Sequence, residues 1–178
     1  MPLKMVAPSH GVIWTNHIGE IVEKYLQWST NYQEHQITII YDTMWQSTRR
    51  MAQAIADGIR DFDPTVRVAK DDKNDILVEV FRSKAIMVGS PTVNMGITYA
   101  IAGLLEMIHG MKCKNKKAAA FGSIGWGGGG EKRIQQRLEE AGFEIAAEPG
   151  KQLWAPDTEA ERKWREYGKA FAAAVLGA

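Results

Sequence analysis

Short apolar runs alternate with segments of helical periodicity from Ile37 onward, and this alternation restricts the fold more than any other feature of the chain. The apolar runs predict strands over residues 37–41, 66–69, 85–89, 117–122 and 143–147, and the periodic segments predict helices over 47–61, 76–82, 97–108, 131–141 and 158–175. Alternating short strands and helices are typical of βαβ units in a parallel sheet. The runs at 85–89 and 117–122 contain no polar break, as expected of central strands that helices cover on both faces.

Residues 1–35 have a different character. A loop and a short strand are predicted over 7–14, and apolar residues from Ile18 to Leu26 share one face of a helix that Asn16 could cap. The stretch 29–36 is polar and without periodicity, which is typical of a linker. We therefore expect an N-terminal segment of residues 1–35 and a main domain of residues 36–178.

Composition excludes several classes of protein. The net charge of +1 argues against nucleic acid as a partner, since that class needs a basic surface. Cys113 is the only cysteine, so a disulfide or a Cys-x-x-Cys metal site within the chain is excluded. A signal peptide and an apolar run of about 18 residues are both lacking, which predicts a cytoplasmic protein that does not enter a membrane.

Three of the predicted strands end in loops of unusual composition. Ligands of an open parallel sheet bind beyond the carboxyl ends of the strands, where the winding direction reverses, and the strand order 2-1-3-4-5 would bring these three loops together there. The first loop carries several hydroxyls and leads into a helix, which suits a phosphate. The other two could hold a flat aromatic ring. The candidate site residues are Thr43, Met44, Trp45, Gln46, Ser47 and Thr48 in the first loop, Pro91, Thr92, Val93 and Asn94 in the second, and Ser123, Ile124, Gly125, Trp126, Gly127 and Gly128 in the third.

Aromatic and basic residues near these loops add to the hypothesis. Trp45 and Trp126 lie in loops, so they are better candidates for stacking on a ring than Trp154 or Trp164, although Trp126 could instead pack under the glycines. Trp164 falls on the apolar stripe of the last helix and is expected in the core. Two arginines, at positions 49 and 50, occupy the first turn of a helix, where only a bound anion or exposure to solvent makes cations acceptable.

The three loops resemble the FMN-binding loops of flavodoxin-like domains, through residues 41–48, 89–92 and 122–128. The whole chain resembles the C-terminal part of flavodiiron proteins, also called A-type flavoproteins or flavorubredoxins, and residues 8–14 resemble the end of their metallo-β-lactamase-like domain. One departure is Gln46, because the family commonly has glycine there. Glutamine makes the phosphate loop bulkier and less permissive of positive φ.

The resemblance implies a complete set of expectations. The fold is a flavodoxin-like doubly wound α/β domain, with a five-stranded parallel sheet in the order 2-1-3-4-5 and helices on both faces. The cofactor is non-covalent FMN, which passes electrons from rubredoxin or a similar donor to the diiron domain of the parent protein, a nitric oxide or oxygen reductase and a head-to-tail homodimer. Residues 1–35 are then a remnant of that diiron domain, and His10, which resembles its last histidine ligand, lacks the other ligands in this chain.

Alternative interpretations remain open. An FMN-dependent NAD(P)H:quinone-type or azo-type reductase could use the same fold, and a cofactor-free binding module could use the same loops. Residues 125–130 also match the Gly-x-Gly-x-x-Gly dinucleotide pattern, with Glu148 roughly 20 residues further on, but the match follows the fourth strand and not the first. The lysines at 112, 114, 116 and 117 are expected to form a solvated patch at the opposite end of the sheet.

Overall fold

The computed structural model describes residues 3–177 and divides the chain into two compact units, Met1–Tyr32 and Gln33–Ala178. In the first unit, Val6 and Trp14 form an antiparallel bridge, and helix α1 spans Ile18–Trp28. The prediction that Asn16 caps this helix is wrong. His17 is the residue before the first turn, its φ is 55°, and no side chain in the described part of the chain caps the helix.

The second unit is a parallel sheet covered by helices on both faces. Its elements are β1 (Glu34–Tyr41), α2 (Ser47–Gly58), β2 (Asp63–Val68), α3 (Lys73–Arg82), β3 (Ser83–Pro91), α4 (Tyr99–Met111), β4 (Lys117–Ile124), α5 (Gly130–Glu140), β5 (Glu144–Ile145), β6 (Gly150–Leu153) and α6 (Thr158–Leu176). The strand order is β2-β1-β3-β4-β5, and β6 pairs with β4 as well. The predicted doubly wound fold and its strand order are confirmed. Within residues 3–177, no helix is both long and apolar enough to cross a membrane.

The core lies on both sides of the central strands. On one face, Ile39 of β1 packs with Met51 of α2 and Phe171 of α6. On the other face, Ile40 and the next strands pack against α3, α4 and α5. Neighbouring residues of β1 are therefore fully buried on opposite faces, which explains why this strand is a continuous apolar run.

The start of β1 and both edge strands of the sheet differ from the prediction. Strand β1 starts at Glu34, inside the predicted linker, and β2 starts at Asp63 with Pro64 inside it, opposite Ile37. Proline is tolerated there because β2 is an edge strand with a single neighbour. At the other edge, only residues 144–145 of the predicted strand 143–147 pair with β4, and the chain rejoins β4 further along as β6. That second segment was not predicted, since Gly-Lys-Gln-Leu has no apolar alternation.

The last helix begins differently from the predicted capping box of Thr158 and Glu161. Asp157 is the cap, and its carboxylate accepts a hydrogen bond from the Ala160 amide at 2.8 Å. Thr158 is already the first helical residue. Glu161 instead forms an ion pair with Arg50 of α2 at 2.8 Å, so α6 is joined to α2 at this point.

The predicted solvated lysine patch is only half correct. Lys112 and Lys114 are exposed, but Lys116 is 5% exposed and its Nζ donates to the carbonyl oxygens of Phe81, at 2.9 Å, and of Ser83. Those two carbonyls lie at the C-terminal end of α3, where cations are favourable. Burial lowers the pKa of Lys116. Lys117 is also engaged, because its Nζ donates to the carbonyl of Ala174 at 2.7 Å.

Candidate functional site

The three predicted loops come together at the carboxyl ends of β1, β3 and β4, around a cavity of about 720 Å³. The cavity is lined by Met44, Trp45 and Ser47 from the first loop, residues 91–95 from the second, residues 123–127 from the third, and Trp154 and Ala155. Of the predicted site residues, Thr43, Gln46, Thr48 and Gly128 do not border it. A second cavity of about 790 Å³ adjoins it across Met44, Val93 and Asn94, and that cavity is lined by charged residues such as Lys70 and Arg133.

The first loop leaves the start of α2 open to an anion. Gln46, the residue before the helix, has φ 66°, and the first helical bond runs from the Arg50 amide to the Gln46 carbonyl at 3.0 Å. No side chain in the described residues caps the helix, and its first turn holds no acid. The amides of the first turn therefore lack intrahelical partners and carry a partial positive charge. The chain therefore adopts at Gln46 the positive φ that glutamine disfavours, in the place where glycine would adopt it without strain.

Two buried hydroxyls near the loops lack a partner among the described residues, the Oγ1 atoms of Thr43 and Thr92. An unpaired buried hydroxyl costs about 1–3 kcal/mol, so such a group is expected to find a partner when the site is in use. The hydroxyl of Thr48 is already engaged, because it lies 3.0 Å from Ser123 Oγ. Thr48 therefore joins the first loop to the third, while Thr43 and Thr92 have hydrogen-bonding capacity to offer a ligand.

The second loop is held by backbone bonds and ends in a strained turn. The Thr92 amide donates to the Ser123 carbonyl at 2.8 Å, which extends the pairing of β3 with β4 into the loops. Asn94 and Met95 follow with φ 49° and 60°, and the amide of Gly96 donates to the carbonyl of Val93 at 2.8 Å. Two consecutive non-glycine residues with positive φ are unusual, and such strain occurs preferentially at functional sites.

The glycines of the third loop are explained by close approach to the second loop. A Cβ atom at Gly127 would lie 2.9 Å from Met95 Sδ, and one at Gly130 would lie 2.9 Å from both Thr92 Oγ1 and the Gly96 carbonyl. The match to the dinucleotide pattern is thus accounted for by packing between two loops after β3 and β4. Glu131, 3% exposed, accepts a hydrogen bond from the Gly129 amide at 3.2 Å and fixes the start of α5.

The tryptophans divide into core and site. Trp164 is 6% exposed and packs in the core, as predicted, whereas Trp45 is 84% exposed and Trp126 is 94% exposed. Packing of Trp126 beneath the glycines, the alternative left open by the sequence, is therefore wrong. The sequence favours Trp126 over Trp154 as a stacking residue, yet Trp154 lines the same cavity, and the two ring centroids are 5.8 Å apart. Sequence reasoning missed Trp154 because it missed β6, the strand that carries the chain to this position.

The basic and metal-binding candidates are less closely tied to the cavity. Arg50 is held by Glu161 and does not line the cavity, while Arg49 Nη1 donates to Gln46 Oε1 at 3.3 Å beside the open helix start. In residues 3–177, no group of three or more His, Cys, Asp and Glu side chains could hold a metal ion, and this includes the surroundings of His10.

The sheet is doubly wound, α2 has an open start after β1, and an aromatic cavity lies between the loops after β3 and β4. This combination defines a flavodoxin-like protein that binds a phosphorylated planar ligand. The sequence profile described as Flavodoxin matches residues 39–167. The chain belongs to the flavodoxin family, and its cofactor is FMN.

Longer proteins contain a similar segment. The chain is 52% identical, over 177 residues, to the anaerobic nitric oxide reductase flavorubredoxin of Vibrio vulnificus, and the match covers 97% of this chain and 36% of that protein. The structure of the rubredoxin oxygen:oxidoreductase of the anaerobe Desulfovibrio gigas is similar with a TM-score of 0.88 and 30% identity, over 98% of this chain and 45% of that one. A flavodoxin from the domain Archaea matches with a TM-score of 0.73 and 26% identity, over 79% of this chain and 99% of that one.

Proposed function

We propose that this chain is the FMN-carrying electron-transfer module of a longer nitric oxide or oxygen reductase of the flavodiiron type. One observation carries the assignment of the site: three loops converge on one cavity beside the start of α2, and a buried hydroxyl in each of the first two loops lacks a partner among the described residues. The relatives support the wider assignment, since one is named an anaerobic nitric oxide reductase flavorubredoxin and another a rubredoxin oxygen:oxidoreductase.

The residues of the first loop would hold the phosphate. The amides at the start of α2 would donate to its oxygens, the Thr43 hydroxyl would gain the partner that it lacks, and Arg49 would add a positive charge nearby. Residues 44–48 surround this point, with Gln46 shaping the turn and Thr48 joining it to the third loop.

The second and third loops would hold the isoalloxazine ring. The bound flavin supplies the redox chemistry, and the protein binds it, orients it and excludes water from it. Residues 91–94 and 123–128 would contribute backbone groups on either side of the cavity, and Trp45 and Trp126 would contribute exposed indole faces. This transfer requires no general acid or nucleophile from the chain.

The names of the relatives support the proposed partners. The chain spans about a third of the Vibrio vulnificus protein and 45% of the Desulfovibrio gigas chain, so residues 36–178 would be the flavodoxin-like domain and residues 1–35 the end of a diiron domain. The donor would be rubredoxin or a similar carrier, and the acceptor would be the diiron domain of the parent protein. We further propose that the parent is a cytoplasmic homodimer.

Reconstitution of the chain with flavin tests this function. We expect the purified chain to bind an equimolar amount of FMN, to be reduced by a rubredoxin with its reductase, and to show no steady turnover with NAD(P)H and a quinone. A colourless chain that does not take up added FMN would refute the proposal. Steady NAD(P)H:quinone turnover would instead show a stand-alone reductase.

A charge placed at the helix start tests the phosphate position. Ser47 is the first residue of α2 and lines the cavity, so Ser47→Asp would put a carboxylate where the phosphate is expected. We expect this variant to stabilise the apo-protein by about 0.3–1 kcal/mol through the helix dipole, while FMN binding is lost. Ser47→Asn is the uncharged control of the same size. Equal FMN binding by the aspartate and asparagine variants would contradict the assignment.

A further inference from the structure

Trp154 lies where β6 ends, in a conformation that a bulky residue rarely adopts. Its φ is 57°, in the left-handed region, which is unusual for a residue other than glycine, asparagine or aspartate. The Trp154 amide donates to the carbonyl of Ile124 at 2.8 Å, so the strained backbone is fastened to the end of β4. Strained positions that the surrounding structure holds in place are concentrated at binding sites.

The ring of Trp154 contacts the third loop. A Cβ atom at Gly125 would lie 3.3 Å from two atoms of the indole, so the missing side chain at Gly125 leaves room for this ring. On the other side, the centroid of the Trp126 ring is 5.8 Å away, with an angle of 57° between the ring planes. Trp154 thus supports the position of Trp126, and both line the cavity formed by the three loops.

The exposure of its side chain shows that Trp154 is not a core residue. Trp154 is 56% exposed and Trp126 is 94% exposed, although together they offer two large aromatic surfaces to the same cavity. Aromatic residues normally bury such area, and adjacent exposed aromatic rings beside a cavity are typical of a ligand-binding site. Leu153, the preceding residue, is also 56% exposed but does not line the cavity.

We propose that Trp154 is a third aromatic wall of the flavin pocket, which contacts the isoalloxazine ring and holds Trp126 against it. The proposal rests on the proposed binding of FMN in this cavity. It adds a contact from the residue that follows β6 to the three loops already described, and it assigns the strained φ of Trp154 to ring placement. The phosphate does not take part in this contact.

Flavin titrations of the apo-protein of the full chain test the role of Trp154. We compare wild type, Trp154→Ala, Trp154→Phe and the matched control Leu153→Ala, with FMN and with riboflavin, following the quenching of flavin and tryptophan fluorescence. We expect Trp154→Ala to raise the Kd for both flavins by the same factor, about threefold to tenfold, as expected for loss of an aromatic stacking contact. Trp154→Phe should recover most of the affinity, and Leu153→Ala should leave it unchanged.

Equal Kd values for Trp154→Ala and Leu153→Ala would overturn the inference, and so would an effect on FMN that riboflavin does not share. Thermal unfolding of the apo-proteins separates a ring contact from a structural role. If Trp154 acts through ring contact, Trp154→Ala should unfold at the same temperature as the control Leu153→Ala, although its flavin affinity is lower. If the wild-type chain binds neither flavin, the proposed function fails and this inference fails with it. If the wild-type chain binds both and only the Trp154 effect is missing, the inference alone is wrong.

Discussion

Replacement of Thr43 by valine separates the effect of its hydroxyl on the stability of the apo-protein from its effect on the binding of the FMN phosphate. The Thr43 Oγ1 atom is buried without a partner among the described residues, while the Thr43 amide is satisfied by Asp42 Oδ1 at 2.8 Å. Valine has nearly the same shape and lacks only the hydroxyl. The apo-protein therefore loses an unpaired polar atom and no hydrogen bond.

We expect Thr43→Val to leave the apo-protein as stable as the wild type, or more stable, and to weaken the binding of FMN. Removing an unsatisfied buried hydroxyl should leave the free energy of unfolding of the apo-protein unchanged or raise it by about 1 kcal/mol. A hydrogen bond from this hydroxyl to a charged phosphate is worth about 1.5–3 kcal/mol, so the Kd for FMN should rise by about tenfold to a hundredfold. Riboflavin has no phosphate, and its Kd should not change.

Urea unfolding of the apo-protein and titrations with FMN and riboflavin measure both effects. Thr65→Val is the matched control, because Thr65 is half-buried in the edge strand β2 and does not line the cavity. It should change neither flavin affinity. A Thr43→Val apo-protein that is destabilised by more than about 1 kcal/mol would show that the hydroxyl has a partner in the empty fold. An unchanged FMN affinity would refute the role of Thr43 at the phosphate.

Two further predictions concern backbone strain and pH. At position 46, where φ is 66°, we expect the apo-protein stability to fall in the order glycine, glutamine, valine, with Gln46→Gly gaining about 0.5–1 kcal/mol and Gln46→Val losing more than that, measured by urea unfolding. The reverse order would contradict strain at this position. Burial lowers the pKa of Lys116 from its ordinary value of 10.5, so the unfolded chain binds this proton more tightly than the folded chain. Relative to Lys116→Met, the free energy of unfolding of the wild type should increase as the pH rises from the lowered pKa to 10.5. Below that pH window, the difference in free energy of unfolding between the two proteins should be constant. Parallel stability curves across the window would refute the burial of a charged lysine.

The central part of the fold could be predicted because its causes are local. Strands such as residues 85–89 are buried on both faces, so each residue must be apolar and the run is visible in the sequence. The helices between these strands have apolar residues along one face for the same reason, because that face is buried against the sheet. The composition of the loops also indicates a phosphate and a ring, because the residues proposed to hold a ligand there are consecutive in the chain.

Other features depended on partners far along the chain. Pro64 is compatible with a strand only because β2 has one neighbour, and Lys116 is buried only because the carbonyls of Phe81 and Ser83, more than 30 residues earlier, accept its hydrogen bonds. The predicted capping box of α6 lies one residue too late, since Asp157 and Thr158 are both good caps by sequence, and in the structure Asp157 is the cap while Glu161 pairs with the distant Arg50.

The sequence by itself determined the parallel sheet, its strand order by resemblance, and the three loops that contain most of the cavity. Only the tertiary structure decided that β6 rejoins β4 and places Trp154 beside Trp126, and that Gln46 adopts positive φ in front of α2. The physical reason is clearest for β6 and Trp154, which backbone hydrogen bonds join to β4. Burial of apolar residues leaves a periodic pattern in the sequence, whereas a backbone hydrogen bond between distant segments uses groups that every residue has and leaves no pattern to read.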